Sequence, residues 1–272
     1  MDGAELALPA AHGMWTLDVV TSTGSTNADL LARAAAEPGG AVGRVLVAEE
    51  QTAGRGRRGR TWSSVPGESL TFSVLLRPAS VPPDRRGWLS LLTGVAVASA
   101  VGTLAGVHTV LKWPNDVLAG DRKLAGILAE QSPDGSAVVV GVGLNVATPA
   151  DALPVAATGL AATSLAVEAG GVPVSREALL LAVLDQLERR YLAFRSDPEP
   201  ESIGLLAEYR GLCGTLGRPV RVELPAGRVL TGTAVDIDAD GRLLVKESAG
   251  GQQAAPDAPI VAVSAGDVIH VR

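Results

Sequence analysis

The run GRGRRGR at residues 54–60 places Arg55, Arg57, Arg58 and Arg60 on a glycine-spaced loop, in a chain whose formal net charge is −6. Glycine spacing lets the backbone turn its amide N–H groups toward one point, and guanidinium forks bind phosphate or carboxylate bidentately. The run reads as an anion site, with a solvated basic loop as the plainer alternative. Its letters also satisfy G-x-G-x-x-G at Gly54, Gly56 and Gly59. A dinucleotide fingerprint must open a helix, however, and here residues 61–67 are turn-like and Ser69 to Leu76 reads as a strand. No Gly-Lys-Ser/Thr follows, which excludes a Walker A loop. Trp62 stands beside the loop, placed either to cover a flat ligand or to pack.

Of 23 basic residues only three are lysines, and two of them, Lys112 and Lys123, flank Trp-Pro-Asn-Asp. A lysine kept in an arginine-rich chain suggests a need for a compact, mobile ammonium. Pro114 disfavours helix at Trp113, and Asn115 and Asp116 can bond their own backbone, so a turn is expected. A hairpin-like path through it brings both lysines toward one site. For Lys123 the competing reading is a hairpin-tip charge, and for Lys112 it is a structural ion pair with Asp116. Upstream, Thr26 reads as a helix cap with Asp29 at the third position. Ser25 and Asn27 beside it add short neutral groups able to bond a small polar ligand, or simply to start the helix.

The elements that must hold these residues are legible in outline. Strands are expected at Arg44 to Ala48, at Ser69 to Leu76 and over Ala137 to Val146, the last buried and ending near Asn145. Residues 88–104 read as an apolar core helix after Pro82-Pro83-Asp84, and residues 175–195 as an amphipathic helix burying Leu179, Leu180, Val183, Leu184, Leu187, Tyr191 and Phe194. From about Gly211 the texture changes to short β-like runs at 218–224, 228–237, 242–247 and 259–272, divided by turns at 225–227, 240–241 and 250–251. Such spacing reads as a small barrel. A chain of 272 residues that is 47% apolar can bury one large core plus that satellite. The single cysteine, Cys213, excludes an internal disulfide, suits a reducing cytosol and is expected to be buried. Neither a signal peptide nor a membrane span is read, so a cytoplasmic protein is expected. The acidic balance argues against a general nucleic-acid partner and suits a small polyanion focused at one basic loop. His12, His108 and His270 have no motif support, and no nucleophile system is evident.

Taken together, STN at 25–27, AEEQTAGRGRRGRTW at 48–62, KWPND at 112–116, RKLAGIL at 122–128 and GVGLN at 141–145 resemble the biotin protein ligases. The resemblance implies an α+β fold. Residues 1–210 would form the mixed-sheet catalytic domain of the biotin/lipoate ligase type, and residues 211–272 a small C-terminal SH3-like β-barrel. With 24 residues before Ser25, the chain resembles the short type without an N-terminal DNA-binding domain. The implied reaction couples ATP to biotin as biotinyl-5′-AMP and transfers biotin to a lysine of the biotin carboxyl carrier domain of acyl-CoA carboxylases. A lipoate or octanoate ligase on the same fold is the alternative enzyme, and a non-catalytic ligand- or nucleic-acid-binding module the alternative class.

By the same resemblance, Ser25, Thr26, Asn27, Gln51, Arg55, Gly56, Arg57 and Lys123 would bind biotin. Arg58, Arg60, Trp62, Lys112, Asn115 and Asn145 would bind the nucleotide, with Lys123, Arg57 and Asp116 catalytic. Lys123 would bridge carboxylate and α-phosphate, and Asp116 would assist the acceptor lysine or orient Lys112. Magnesium is expected with ATP, and no metal cage is read in the sequence. Four repelling cations on a glycine loop are expected to be mobile when empty and to close on ligand.

Overall fold

Alternating small polar residues mark the strand at the centre of the molecule, β4 (Ser69–Leu76), which is buried along its whole length. In this computed structural model the described residues are 6–40, 42–153, 160–224, 227–248, 255, 257–264 and 266–270. Around β4 lie β1 (Ala11–His12), β2 (Trp15–Thr23), β3 (Arg44–Gln51), β5 (Val110–Lys112), β6 (Asp116–Ala119), β7 (Arg122–Gln131) and β8 (Val138–Asn145). They form one eight-stranded sheet in the order β1-β2-β3-β4-β8-β7-β6-β5. Among the described strands of this sheet only β2 and β3 pair in parallel, and the other pairs are antiparallel. The crossover between β2 and β3 is α1 (Thr26–Ala36), whose Leu30 and Ala34 pack on Leu46, Leu75, Ala137 and Val139.

The opposite face carries the main core. There α2 (Trp88–Ala105) lies against the sheet, with α4 (Arg176–Ser196) packed on α2; α3 (Leu165–Glu168) and α5 (Leu205–Leu212) complete the helices. The expected α4 stripe is buried at all seven positions. Uncharged residues on every side suit α2 to this double-sided burial. Pro83–Ala105 is long and apolar enough to cross a membrane by length and composition alone, but 67% of its apolar window is buried in the fold, in keeping with the expected core helix. Three wholly buried tryptophans each satisfy their indole N–H on a carbonyl: Trp15 on Leu184, Trp88 on Ala239 and Trp113 on Gly241. The last two pin a turn of the C-terminal sheet to the large core.

That second sheet is antiparallel, with β9 (Pro219–Glu223), β10 (Val229–Ile237), β11 (Leu243–Glu247), β12 (Ile260–Val263) and β13 (Asp267–His270) in the order β12-β11-β10-β9-β13. The single run expected at 259–272 is thus two strands, broken before Asp267. Flat, the sheet would hold β12 and β13 about 19 Å apart, four strand spacings of ~4.8 Å. Four Cα steps from Val263 to Asp267 reach at most about 14 Å, so the sheet curls toward the SH3-like barrel form. The expected turns at 225–227 and 250–251 fall largely on residues 225–226 and 249–254, which lie outside the described residues. The helix cap is also corrected. Ser25, not Thr26, has the extended cap conformation and accepts from the Ala28 N–H, while Thr26 begins the first turn.

Candidate active site

Strand register lays a row of residues across the sheet. Thr71 on β4 is opposite Gly143 on β8, Gly143 opposite Gly126 on β7, Gly126 opposite Asp116 on β6, and Asp116 opposite Lys112 on β5. Directly paired residues share a face, so a bare glycine floor runs from a threonine to an acid and a lysine. One pleat further along, Ser73 is opposite Gly141. The floor opens into a cleft of about 1240 Å³ between α1, the arginine loop, residues 160–162 and the C-terminal sheet. Two glycines are required by close approach: a Cβ on Gly141 would stand 2.3 Å from Asn27 Oδ1, and one on Gly143 would stand 2.2 Å from the Trp62 ring.

At one end of the cleft the N-terminus of α1 is tied to the sheet by neutral groups. Gln51 Oε1 accepts from the Thr26 N–H and hydroxyl, and Ser73 Oγ bonds Thr26 Oγ1 at 2.7 Å and Asn27 Oδ1 at 2.6 Å. Asn27 spends both amide protons internally, on Leu128 O and Glu130 Oε2. Its amide therefore positions the pocket wall more than it recognises a ligand. The Ser25 hydroxyl proton and the Gln51 amide protons have no protein acceptor among the described residues, which leaves donors for a small carbonyl ligand.

At the other end Asp116 holds both lysines, Lys123 Nζ at 2.6 Å from Oδ1 and Lys112 Nζ at 3.8 Å from Oδ2. The convergence expected of the hairpin is present, and Lys123 is no free hairpin tip. Its backbone is clamped by bonds to Ala161 O and from the Thr163 N–H. Burial lowers the pKa of Lys112, against the opposing pull of Asp116, with Lys123 adding to the lowering.

The arginine loop closes as a narrow hairpin: the Gly56 N–H donates to Arg60 O, and the Trp62 N–H to Gly54 O. Of its three glycines only Gly59 takes positive φ, at 74°, and Arg58 does so as well, at 56°. Gly54 is needed for a different reason, because the Trp62 carbonyl passes against it. The cations are also not left to repel one another. Arg55 pairs with Glu130 at 3.2 Å, while Asp267 of β13 accepts from Arg58 at 3.2 Å and from Arg60 at 2.6 Å. Arg57 donates to Asn115 Oδ1 at 3.3 Å and Gly266 O at 3.4 Å. Burial lowers its pKa, with Asp267 and Asp116 opposing, and a guanidinium remains charged.

Fourteen of the fifteen residues anticipated from the sequence line this one cleft: Ser25, Thr26, Asn27, Gln51, Arg55, Gly56, Arg57, Arg60, Trp62, Lys112, Asn115, Asp116, Lys123 and Asn145. Arg58 does not itself line the cleft but donates to Asp267 and to Glu223 O, two residues that do. Asn115 and Asn145 spend amide protons on Ile127 O and Thr163 O, so each also braces a wall. Trp62 lies over Gly143 with its Nε1 buried and without a partner among the described residues. Sequence reasoning missed Thr71, Ser73, Glu130 and Asp267. Residues 69, 71 and 73 alternate small polar groups within an apolar strand, and 126, 128 and 130 alternate along β7, so period two could have found the first three. Asp267 carries no comparable signal.

Residues 19–146 match the Biotin/lipoate A/B protein ligase family, and residues 215–271 the Biotin protein ligase C terminal domain. The chain is 45% identical over 267 residues to the biotin–[acetyl-CoA-carboxylase] ligase of Mycobacterium tuberculosis, covering 97% of this chain and 92% of that protein. It is 34% identical to the bifunctional ligase/repressor BirA of Bacillus subtilis, across 86% of this chain and 69% of that one. Among solved structures, the biotin protein ligase of Aquifex aeolicus in complex with biotin and ATP superposes with a TM-score of 0.74 at 28% identity, over 94% of this chain and 98% of that chain.

Proposed function

The chain belongs to the biotin protein ligases, and from that premise we propose that it activates biotin with ATP and passes the biotinyl group to one lysine of a carboxylase's biotin carboxyl carrier domain. The observation that carries the reading is the single cleft with neutral hydrogen-bonding groups at one end and the Lys112–Asp116–Lys123 cluster at the other, roofed by arginines.

In the first half-reaction a biotin carboxylate oxygen attacks the α-phosphorus, the bond to the β-phosphate oxygen breaks, and pyrophosphate leaves with its magnesium. Magnesium enters as part of the nucleotide substrate. Two anions must meet, so repulsion and alignment dominate the barrier. Lys123 bridges carboxylate and α-phosphate; Arg55 and Arg57 hold the acyl-phosphate side. Arg60 and Arg58 take the remaining phosphates by exchanging Asp267 for them. Ser25, Thr26 and Gln51, with the Arg55–Gly56–Arg57 backbone, receive the ureido ring and tail, and Trp62 and Asn145 take the adenine side. In the second half-reaction the acceptor amine attacks the acyl carbon, AMP leaves, and the amine proton is lost. Asp116 orients both lysines, with Lys123 on Oδ1 and Lys112 at 3.8 Å from Oδ2, and is the carboxylate placed to take that proton. Residues 1–210 are assigned the chemistry and residues 211–272 the closing of the nucleotide end. The work is placed in the cytoplasm, with no nucleic-acid partner.

Pyrophosphate release is measured with biotin, lipoate and octanoate in turn, then with a carrier domain added. Biotin-dependent release followed by labelling of the carrier is the expected result. Release with lipoate or octanoate alone would reassign the substrate, and no release with any acid would refute the enzyme.

A further inference from the structure

One side chain on the cleft floor has no role in this scheme and no partner. Thr71 is 5% exposed, lines the cleft, and its hydroxyl lacks a hydrogen-bond partner among the described residues. Its neighbour one pleat away, Ser73, is the opposite case, with bonds to both Thr26 and Asn27. Buried hydroxyls in folded proteins nearly always find a partner. The orphan points to an absent ligand, and the unpartnered Trp62 Nε1 across the same Gly143 repeats the signal.

Register says which part of the ligand. Two strand spacings, about 10 Å, separate Thr71 from Gly126, beside which Lys123 Nζ stands, so Thr71 is set back from the carboxylate end. It is one pleat repeat, ~7 Å, from Ser73 and the neutral groups of α1, which take the ureido side. Resting on the biotin reading above, we infer that the Thr71 hydroxyl donates to the thioether sulfur of the bicyclic ring, the heteroatom on the side of the bicycle away from the ureido group. Thr71 thereby reads the ring itself, while the residues at the two ends read the ureido group and the carboxylate.

The test compares Kd for biotin and for dethiobiotin, which keeps the ureido ring and tail and lacks sulfur, by calorimetry on wild type, Thr71→Val and Thr71→Ser. Valine keeps the shape and removes the donor, so biotin binding is expected to weaken roughly three- to tenfold, the worth of one net hydrogen bond. Dethiobiotin binding should stay within about twofold on the same ground, and Thr71→Ser should hold biotin as wild type does. Equal weakening of both ligands, or no weakening of either, would overturn the assignment of Thr71 while leaving the ligase reading intact. Wild-type protein that binds lipoate or octanoate and not biotin would overturn both.

Discussion

Replacing Lys123 with glutamine tests the centre of the mechanism, because the amide keeps reach and hydrogen bonding while removing the charge. Lys123 Nζ stands 2.6 Å from Asp116 Oδ1 with a quarter of its side chain exposed. A unit charge about 3 Å from the charge developing on the α-phosphoryl group contributes a gross ~5 kcal/mol at an effective dielectric of about 20. Solvent access and residual amide bonding reduce the net loss to roughly 3–4 kcal/mol, the range found on removing one preorganised transition-state donor. Adenylation should then slow by about 10²–10³-fold at tenfold per 1.4 kcal/mol. The fold pays little by comparison. Asp116 keeps Lys112 at 3.8 Å, and a partly exposed pair is worth about 1 kcal/mol, a shift of roughly 2–4 °C in Tm. The assay is biotin-dependent pyrophosphate release at saturating ATP, with transfer from preformed biotinyl-5′-AMP to the carrier measured in parallel. Adenylation within tenfold of wild type would refute the assigned role, as would an equal loss in the transfer step, where no carboxylate attacks a phosphate.

Asp267→Asn removes the carboxylate that accepts from Arg58 and Arg60, so hydrogen exchange over residues 54–60 should quicken in the ligand-free enzyme; unchanged protection would mean that the pairing does not hold the loop. Cys213 is buried and its thiol pKa is raised by that burial. A thiol reagent at pH 8 should therefore label the native protein far more slowly than the denatured one, and equal rates would contradict the burial. His270 is held at about 4, lowered from 6.5 first by burial and then by Lys112 and Arg218. Its native pKa lies below its unfolded one, so as pH falls from about 6.5 toward 4 the unfolded chain gains a proton that the fold refuses, and stability is lost across that window. His270→Gln should flatten stability between those pH values in urea titrations, and an unchanged slope would remove His270 from the account.

Much of the fold could be read from local pattern because the pattern is local physics. The α4 stripe, the apolar α2 and the strands β4 and β8 each follow from periodicity in one segment. The errors fall where neighbours in space decide. Ser25 rather than Thr26 caps α1 because Thr26 is taken by Gln51 and Ser73 from two other strands. The last β run breaks in two because its second half must pair with β9 at the far side of the sheet.

The sequence by itself determined the chemical inventory: a glycine-spaced arginine loop, two scarce lysines around an acid, a Ser-Thr-Asn helix start, and the order in which they come. Only the tertiary structure decided how these groups are shared out. It joins Lys112 and Lys123 on one carboxylate, turns Asn27, Asn115 and Asn145 into braces for the walls, and quiets the arginines with Asp267 from more than 200 residues away, |i−j| being 207 and 209. It also leaves Thr71 at the floor without a partner among the described residues. Residue type fixes how many hydrogen bonds and charges a side chain offers, whereas which of them remain for a ligand depends on partners that only strand register and domain packing bring within 3 Å or so of it.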